Sequence, residues 1–140
     1  MYRTLIAGVV LVGCASDPPP APIAAQTAPG KLKNVPPTLL EHNRIAGTIA
    51  ITPPDSVRME IMNSNVMDGT RIRSSFKFCL DESGAVNRVV TLESSNFPEY
   101  DQHVEQTIER EWKFRPYLEE GRPVAVCSAV TFFYTQHHAR

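Results

Sequence analysis

Apolar and polar residues alternate along parts of this chain and recur at helical spacing along others. The clearest alternation covers residues 71–80. Ile72, Phe76, Phe78 and Leu80 share one parity there, and Arg71, Arg73, Lys77 and Cys79 share the other. Successive side chains of a strand point to opposite faces, so this pattern predicts a strand with one buried face. Asp81-Glu82-Ser83-Gly84 supplies turn chemistry, and residues 86–92 return as the second strand of a hairpin. Val86, Val89, Val90 and Leu92 fit no single face; a bulge near Asn87-Arg88 reconciles them. Beyond it, Tyr100, Val104, Ile108 and Trp112 recur at near-helical spacing. Pro98 suits the first turn of that helix, Glu99 and Asp101 suit the positive end of its dipole, and Pro116 is expected to end it. After a turn at Glu120-Gly121, residues 124–134 carry no charge and predict a last strand. Upstream, residues 45–52 predict a first strand, stopped by Pro53-Pro54. Asp55 or Ser56 then caps a short helix reaching about Asn63, with Val57, Ile61 and Met62 on its buried side.

The order β-α-β-β-α-β predicts an α+β domain, a mainly antiparallel sheet with helices on one face. The hairpin makes its two strands antiparallel, and the helical return sets the last strand against the first hairpin strand. Phe76, Phe78 and Leu80 then face the helices. Val124, Val126, Val130 and Phe132 share a parity on the last strand, which turns Cys127 to the opposite face, as Cys79 is turned on its own strand. Direct opposition of the two cysteines sets Phe76 against Val130 and Leu80 against Val126. A cross-strand disulfide follows as a hypothesis; the alternative is two independent buried thiols.

The amino-terminal residues follow another pattern. Arg3 precedes an apolar run over residues 5–12, then Gly13 and Cys14. The run is far below the roughly 20 residues that span a bilayer, and it fits an export signal. Leu11-Val12-Gly13-Cys14 resembles the lipobox of bacterial lipoproteins, which implies cleavage before Cys14 and its lipidation. Ala15, in place of an aspartate, implies sorting to the outer membrane. Seven of the twelve prolines then fall between Pro18 and Pro37. Such a stretch, at about 3.1 Å per residue when extended, is a spacer rather than a core. The expected organisation is a signal peptide over 1–13, lipidated Cys14 and a linker over 14–42, a domain over 43–137 and a tail over 138–140. Assigning Cys14 to lipid leaves an even pair from three cysteines.

Charge and chemistry exclude more than they assign. Lys+Arg 14 against Asp+Glu 15 gives a net charge of −1, so whole-chain charge makes no case for nucleic acid or for a polybasic membrane surface. Membrane contact is expected through the lipid anchor only. His103 lacks partners at ligand spacing, His137-His138 ends the chain, and Cys79 and Cys127 lack CxxC spacing. Glu109, Glu111, Glu119 and Glu120 read as solvated charge, with no glycine-rich phosphate loop or nucleophile elbow. No catalytic residue, metal or cofactor is expected.

A family is visible in the second half of the chain. Phe78, Gly84, Val86, Ser94-Ser95, Trp112-Lys113-Phe114-Arg115-Pro116 and Gly121-Arg122-Pro123-Val124 together resemble a TonB C-terminal domain. Phe97-Pro98, Tyr100-Asp101 and the cysteine-bearing strands also resemble AgmX/PglI-type C-terminal domains. The likeness covers residues 75–136. Gly84, Trp112, Phe114 and Pro116 carry it, and their expected roles are structural: apolar anchors, a helix stop and a turn needing positive φ. The resemblance implies partner binding by strand addition at a sheet edge. The uncharged last strand needs cover, which residues 45–52 are expected to give. The strand over 86–92 then remains the open edge, with Arg88, Val90, Thr91, Leu92 and Glu93 as candidate partner-binding residues. The expected function is a non-catalytic envelope lipoprotein, part of a transport, secretion or motility complex and bound to another envelope protein. The alternatives are a TonB-type energy transducer for outer-membrane transport and a structural, peptidoglycan-associated lipoprotein.

Overall fold

The computed structural model describes residues 32–137. Cys14, the apolar run and most of the linker lie outside the described residues, as does the expected tail. The elements follow in order: β1 (Lys33–Asn34), α1 (Pro37–Glu41), β2 (Arg44–Ala46), α2 (Asp55–Asn63), β3 (Arg71–Leu80) and β4 (Val86–Glu93). Next come α3 (Pro98–Glu111), β5 (Lys113–Phe114), β6 (Leu118–Glu119), β7 (Arg122–Pro123) and β8 (Val126–Thr135).

Four strands form the main sheet in the order β1-β8-β3-β4. The hairpin strand β3 lies between β4 and β8 and is antiparallel to both. Its register against β8 pairs Phe76 with Val130, Cys79 with Cys127 and Leu80 with Val126. Alternation sends Ile72, Phe76, Phe78 and Leu80 to one face, where they meet Tyr100, Val104 and Ile108 of α3 and Val57 and Ile61 of α2 in one core. Phe76 and Leu80 are fully buried, and each such side chain stabilises the fold by about 1.5–3 kcal/mol. The sheet is therefore α+β with its helices on the core face.

Two register shifts mark the β3–β4 pair. Leu80 pairs with Val86 and Cys79 with Arg88, so Asn87 is the extra residue of a bulge. Phe76 pairs with Thr91 and Ser75 with Glu93, which makes Leu92 a second bulge that alternation alone does not announce. The turn between the strands is built on Asp81, whose carboxylate accepts from the backbone N–H groups of Ser83 (2.8 Å) and Ala85 (3.1 Å) and from the Ser83 hydroxyl (2.6 Å). That hydroxyl, more than any other group, holds the Asp81 carboxyl below its usual range.

Several expectations are corrected. The expected domain start at Asn43 moves forward, because β1 pairs in parallel with Val126 and Cys127, and Val35 and Leu40 are buried. A strand over 45–52 does not form: β2 is three residues long and pairs with β5, and Gly47 at φ 97° turns the chain away. Ile45 and Ile49 are left exposed. Asp55 does not cap α2; Pro54 holds the cap position, and Asp55 pairs with Arg58. Met62 lies on the exposed side of that helix. The third helix ends at Glu111, before Pro116. Trp112 leaves it with ψ 127° because its indole N–H donates to the Thr48 carbonyl (2.9 Å), while Lys113 and Phe114 pair with β2.

Asp101 is the buried carboxylate among the described residues. From the first turn of α3 it accepts from the Ser95 N–H (3.1 Å) and the Ser94 hydroxyl (2.6 Å), pinning the loop in which Asn96 takes φ 70°. Beside it the Tyr100 hydroxyl donates to the Ile51 carbonyl (3.1 Å). Burial, helped by Asp101 and then Tyr134, pushes its pKa up to about 12.

Candidate interaction edge

The main sheet has two outer edges, and they differ in what they offer a further strand. On one side β1 contributes only two residues, so it covers β8 only at Val126 and Cys127. The Val35 N–H donates to the Cys127 carbonyl (2.8 Å), and the Ser128 hydroxyl donates to the Val35 carbonyl (2.8 Å). Backbone groups of alternate residues point to the same side of a strand. Since Cys127 faces outward, so do the N–H and C=O groups of Ala129, Thr131 and Phe133. Among the described residues no strand pairs with them. This stretch is uncharged and carries no bulge.

Beside that edge, on the core face, lies a groove of about 270 Å³. Val130 and Phe132 of β8 line one side, Leu40 of α1 another, and Phe78, Trp112 and Phe114 its inner end. The aromatic end is built by packing: Phe78 stacks on Phe114 at 5.6 Å between ring centroids and meets Trp112 edge-on at 5.4 Å. The Arg44 guanidinium sits 5.2 Å from the Trp112 ring centroid, a cation–π contact at the rim. An apolar groove beside free main-chain donors and acceptors can take an extended segment, with its backbone on the strand and alternate side chains in the groove.

The other edge is β4, which carries the sequence candidates. Arg88 and Val90 lie opposite Cys79 and Lys77 on the face away from the helices. Thr91 lies on the helix side, where its hydroxyl donates to Glu105. Leu92 is the second bulge, and Glu93 is held by Arg73. Bulges at Asn87 and Leu92 confine regular pairing to the few residues between them, and bulges and charge are means by which proteins blunt an edge.

The residues shared with the resembled family take structural places. Gly84 adopts φ 85°, and a Cβ there would lie 2.4 Å from the Phe114 carbonyl oxygen, so the turn needs glycine for conformation and for space. Trp112 and Phe114 are buried, and Pro116 flanks a shallow surface depression with Tyr117 and Leu118. Cys79 and Cys127 are joined by a disulfide, their Cα atoms 4.0 Å apart. Sequence reasoning missed Leu40, Arg44 and Ile49 of the groove; the one available signal was Pro36-Pro37 ahead of Leu39-Leu40, a helix start with something to bury. Among the described residues no three His, Cys, Asp or Glu side chains gather as a metal site.

These features define a class: a small α+β domain of hairpin, helix and final strand, whose sheet stops at a largely unpaired strand beside an apolar groove. Residues 68–135 match the family described as Gram-negative bacterial TonB protein C-terminal, and this segment belongs to the TonB C-terminal domain family. The chain is similar to the solution NMR structure of the Pseudomonas aeruginosa TonB CTD, at 23% identity and a TM-score of 0.46, over 70% of this chain and 91% of that one. No curated protein matches it significantly. The family is one of non-enzymatic protein-interaction domains of the cell envelope. Among the described residues no helix is long and apolar enough to cross a membrane.

Proposed function

We propose that this protein is an envelope lipoprotein, anchored through Cys14 to the outer membrane, whose periplasmic domain binds another envelope protein by strand addition on β8. The observation that carries the reading is the unpaired stretch of β8 at Ala129, Thr131 and Phe133 beside the apolar groove. A partner segment of five or six residues would gain main-chain hydrogen bonds from these three residues, and its alternate apolar side chains would enter the groove. The complex it serves is one of transport, secretion or motility.

The test is in-cell crosslinking from photoreactive residues placed singly at Thr131, Phe133, Val90 and Leu92, with captured proteins identified by mass spectrometry. The expected result is one envelope protein captured from both β8 positions. Capture from Val90 and Leu92 alone would move the site to the β4 edge, with Arg88, Thr91 and Glu93 as its neighbours. The anchor is tested separately, by palmitate labelling and by fractionation of Cys14→Ser. A variant that stays membrane-bound with labelling unchanged would remove Cys14 from the account.

A further inference from the structure

The face of the main sheet opposite the helices carries Arg71, Arg73, Lys77 and Cys79 from β3, Arg88 and Val90 from β4, and Cys127, Thr131 and Phe133 from β8. Arg73 holds Glu93, the acidic residue on this face. The Arg71 guanidinium lies 4.8 Å from the Phe133 ring centroid rather than against an acid, and Lys77 and Arg88 form no ion pair among the described residues. Among the described residues, four cations against one carboxylate leave this face an excess of three positive charges, on a chain whose net charge is −1. The balancing acids lie elsewhere, with Glu99, Asp101, Glu105, Glu109 and Glu111 on α3 alone. Whole-chain charge hides this segregation.

The cationic face has exposed apolar groups between its charges: Phe133 is 54% exposed and Val90 38%. Lys77, Arg88, Val90 and Leu32 surround a depression of about 140 Å³ floored by the disulfide. Lys77 and Arg88 stand diagonally across β3 and β4, roughly 7–8 Å apart at the backbone, a spacing that an anionic oxygen group between them would satisfy. Independently, Leu32, from which the chain runs back toward Cys14, lies on this same face. The described domain therefore begins, at Leu32, on the face where its positive charge is gathered.

We infer that this face is a docking surface for an anionic phospholipid bilayer, with Arg71, Lys77 and Arg88 meeting headgroup phosphates and Phe133 entering the interfacial layer. Headgroups of an anionic leaflet attract such cations by roughly fivefold in affinity for each one brought to the surface. The tether's exit point rests on the Cys14 reading; the charge pattern does not.

The test uses the chain from residue 14 onward with Cys14→Ser, so that neither an acyl chain nor the apolar run over residues 5–12 contributes. It is sedimented with vesicles of phosphatidylglycerol and phosphatidylethanolamine, or with vesicles of phosphatidylcholine, at about 0.01 M salt, where the screening length is about 30 Å. Binding is expected to the anionic vesicles only and is expected to fall as salt rises. Adding Lys77→Glu and Arg88→Glu should weaken it at least twenty-fivefold, from about fivefold per cation lost; Glu109→Gln on the helix side should leave it unchanged. Matching circular dichroism spectra would show that the charge-reversed chain is folded. Equal binding to neutral vesicles, or a double variant that binds like its parent, overturns the inference. So does a chain that ignores both vesicles but is retained by polyglutamate, which would give the face to an acidic protein.

Discussion

Removing the Cys79–Cys127 bridge by the double substitution Cys79→Ala and Cys127→Ala isolates one stabilising device. Both side chains are nearly fully buried, and both belong to long strands whose pairing does not depend on the sulfurs. The bridge closes a loop with a sequence separation of 48. In the chain-entropy description that loop restricts the unfolded chain by roughly 4 kcal/mol at room temperature. A domain of this size has about 5–15 kcal/mol of stability in all, so the loss is a large share of it. With a urea dependence of about 2 kcal/mol per molar, the unfolding midpoint should fall by about 2 M. The assay is equilibrium urea unfolding of the parent with and without reductant, beside the double variant. Reduced parent and variant should both fall, because each loses the same loop constraint. A variant within about 1 kcal/mol of the oxidised parent would refute the reasoning, since it would mean that the unfolded chain is not held open by entropy here.

Three further outcomes follow from other contacts. Gly84→Ala should destabilise the domain by about 1–3 kcal/mol, because it forces a side chain into φ 85° and against the Phe114 carbonyl; urea unfolding followed by Trp112 emission reads it. Asp101→Ala leaves the Ser95 N–H without its acceptor in a buried loop and should cost about 1–3 kcal/mol, measured as faster amide exchange at Ser95 and a lower urea midpoint. Tyr100 gives a pH dependence at the alkaline end. Its folded pKa of about 12 exceeds the usual 10, so its stabilising contribution is complete below about pH 10 and is lost as pH rises toward 12. Tyr100→Phe should flatten that part of the stability curve in urea titrations across this range.

The main sheet was legible because its signals are local or reciprocal. Residues of β3 alternate without interruption, Asp81 to Gly84 specify the turn, and the parities of Cys79 and Cys127 set a register that Phe76 and Val130 share. What escaped reading depends on distant partners. Lys33 and Asn34 become a strand only because β8 offers Val126 and Cys127, and two residues among prolines have no periodicity to detect. Residues 45–52 have strand-like composition, but a single positive-φ glycine and a hydrogen bond from Ala50 N–H to the Thr48 hydroxyl redirect them. The third helix stops early because tertiary contacts to Trp112 outweigh continued helical spacing. The favoured edge changed for the same reason: with residues 45–52 not pairing there, β8 is left open. Gly84, Trp112 and Phe114 could be read as structural anchors; the groove beside them could not, because Leu40, Arg44 and Ile49 reach it through contacts far apart in sequence.

Trp112 is the single tryptophan of the chain, and it lies at the inner end of the groove with Arg44 over its ring. The protein thus contains its own optical reporter of the surface where a guest segment is proposed to lie. A side chain entering the groove would change the indole's packing and its contact with the guanidinium together. Occupancy at this site is therefore open to titration by emission alone, without a label, a tag or a second chromophore.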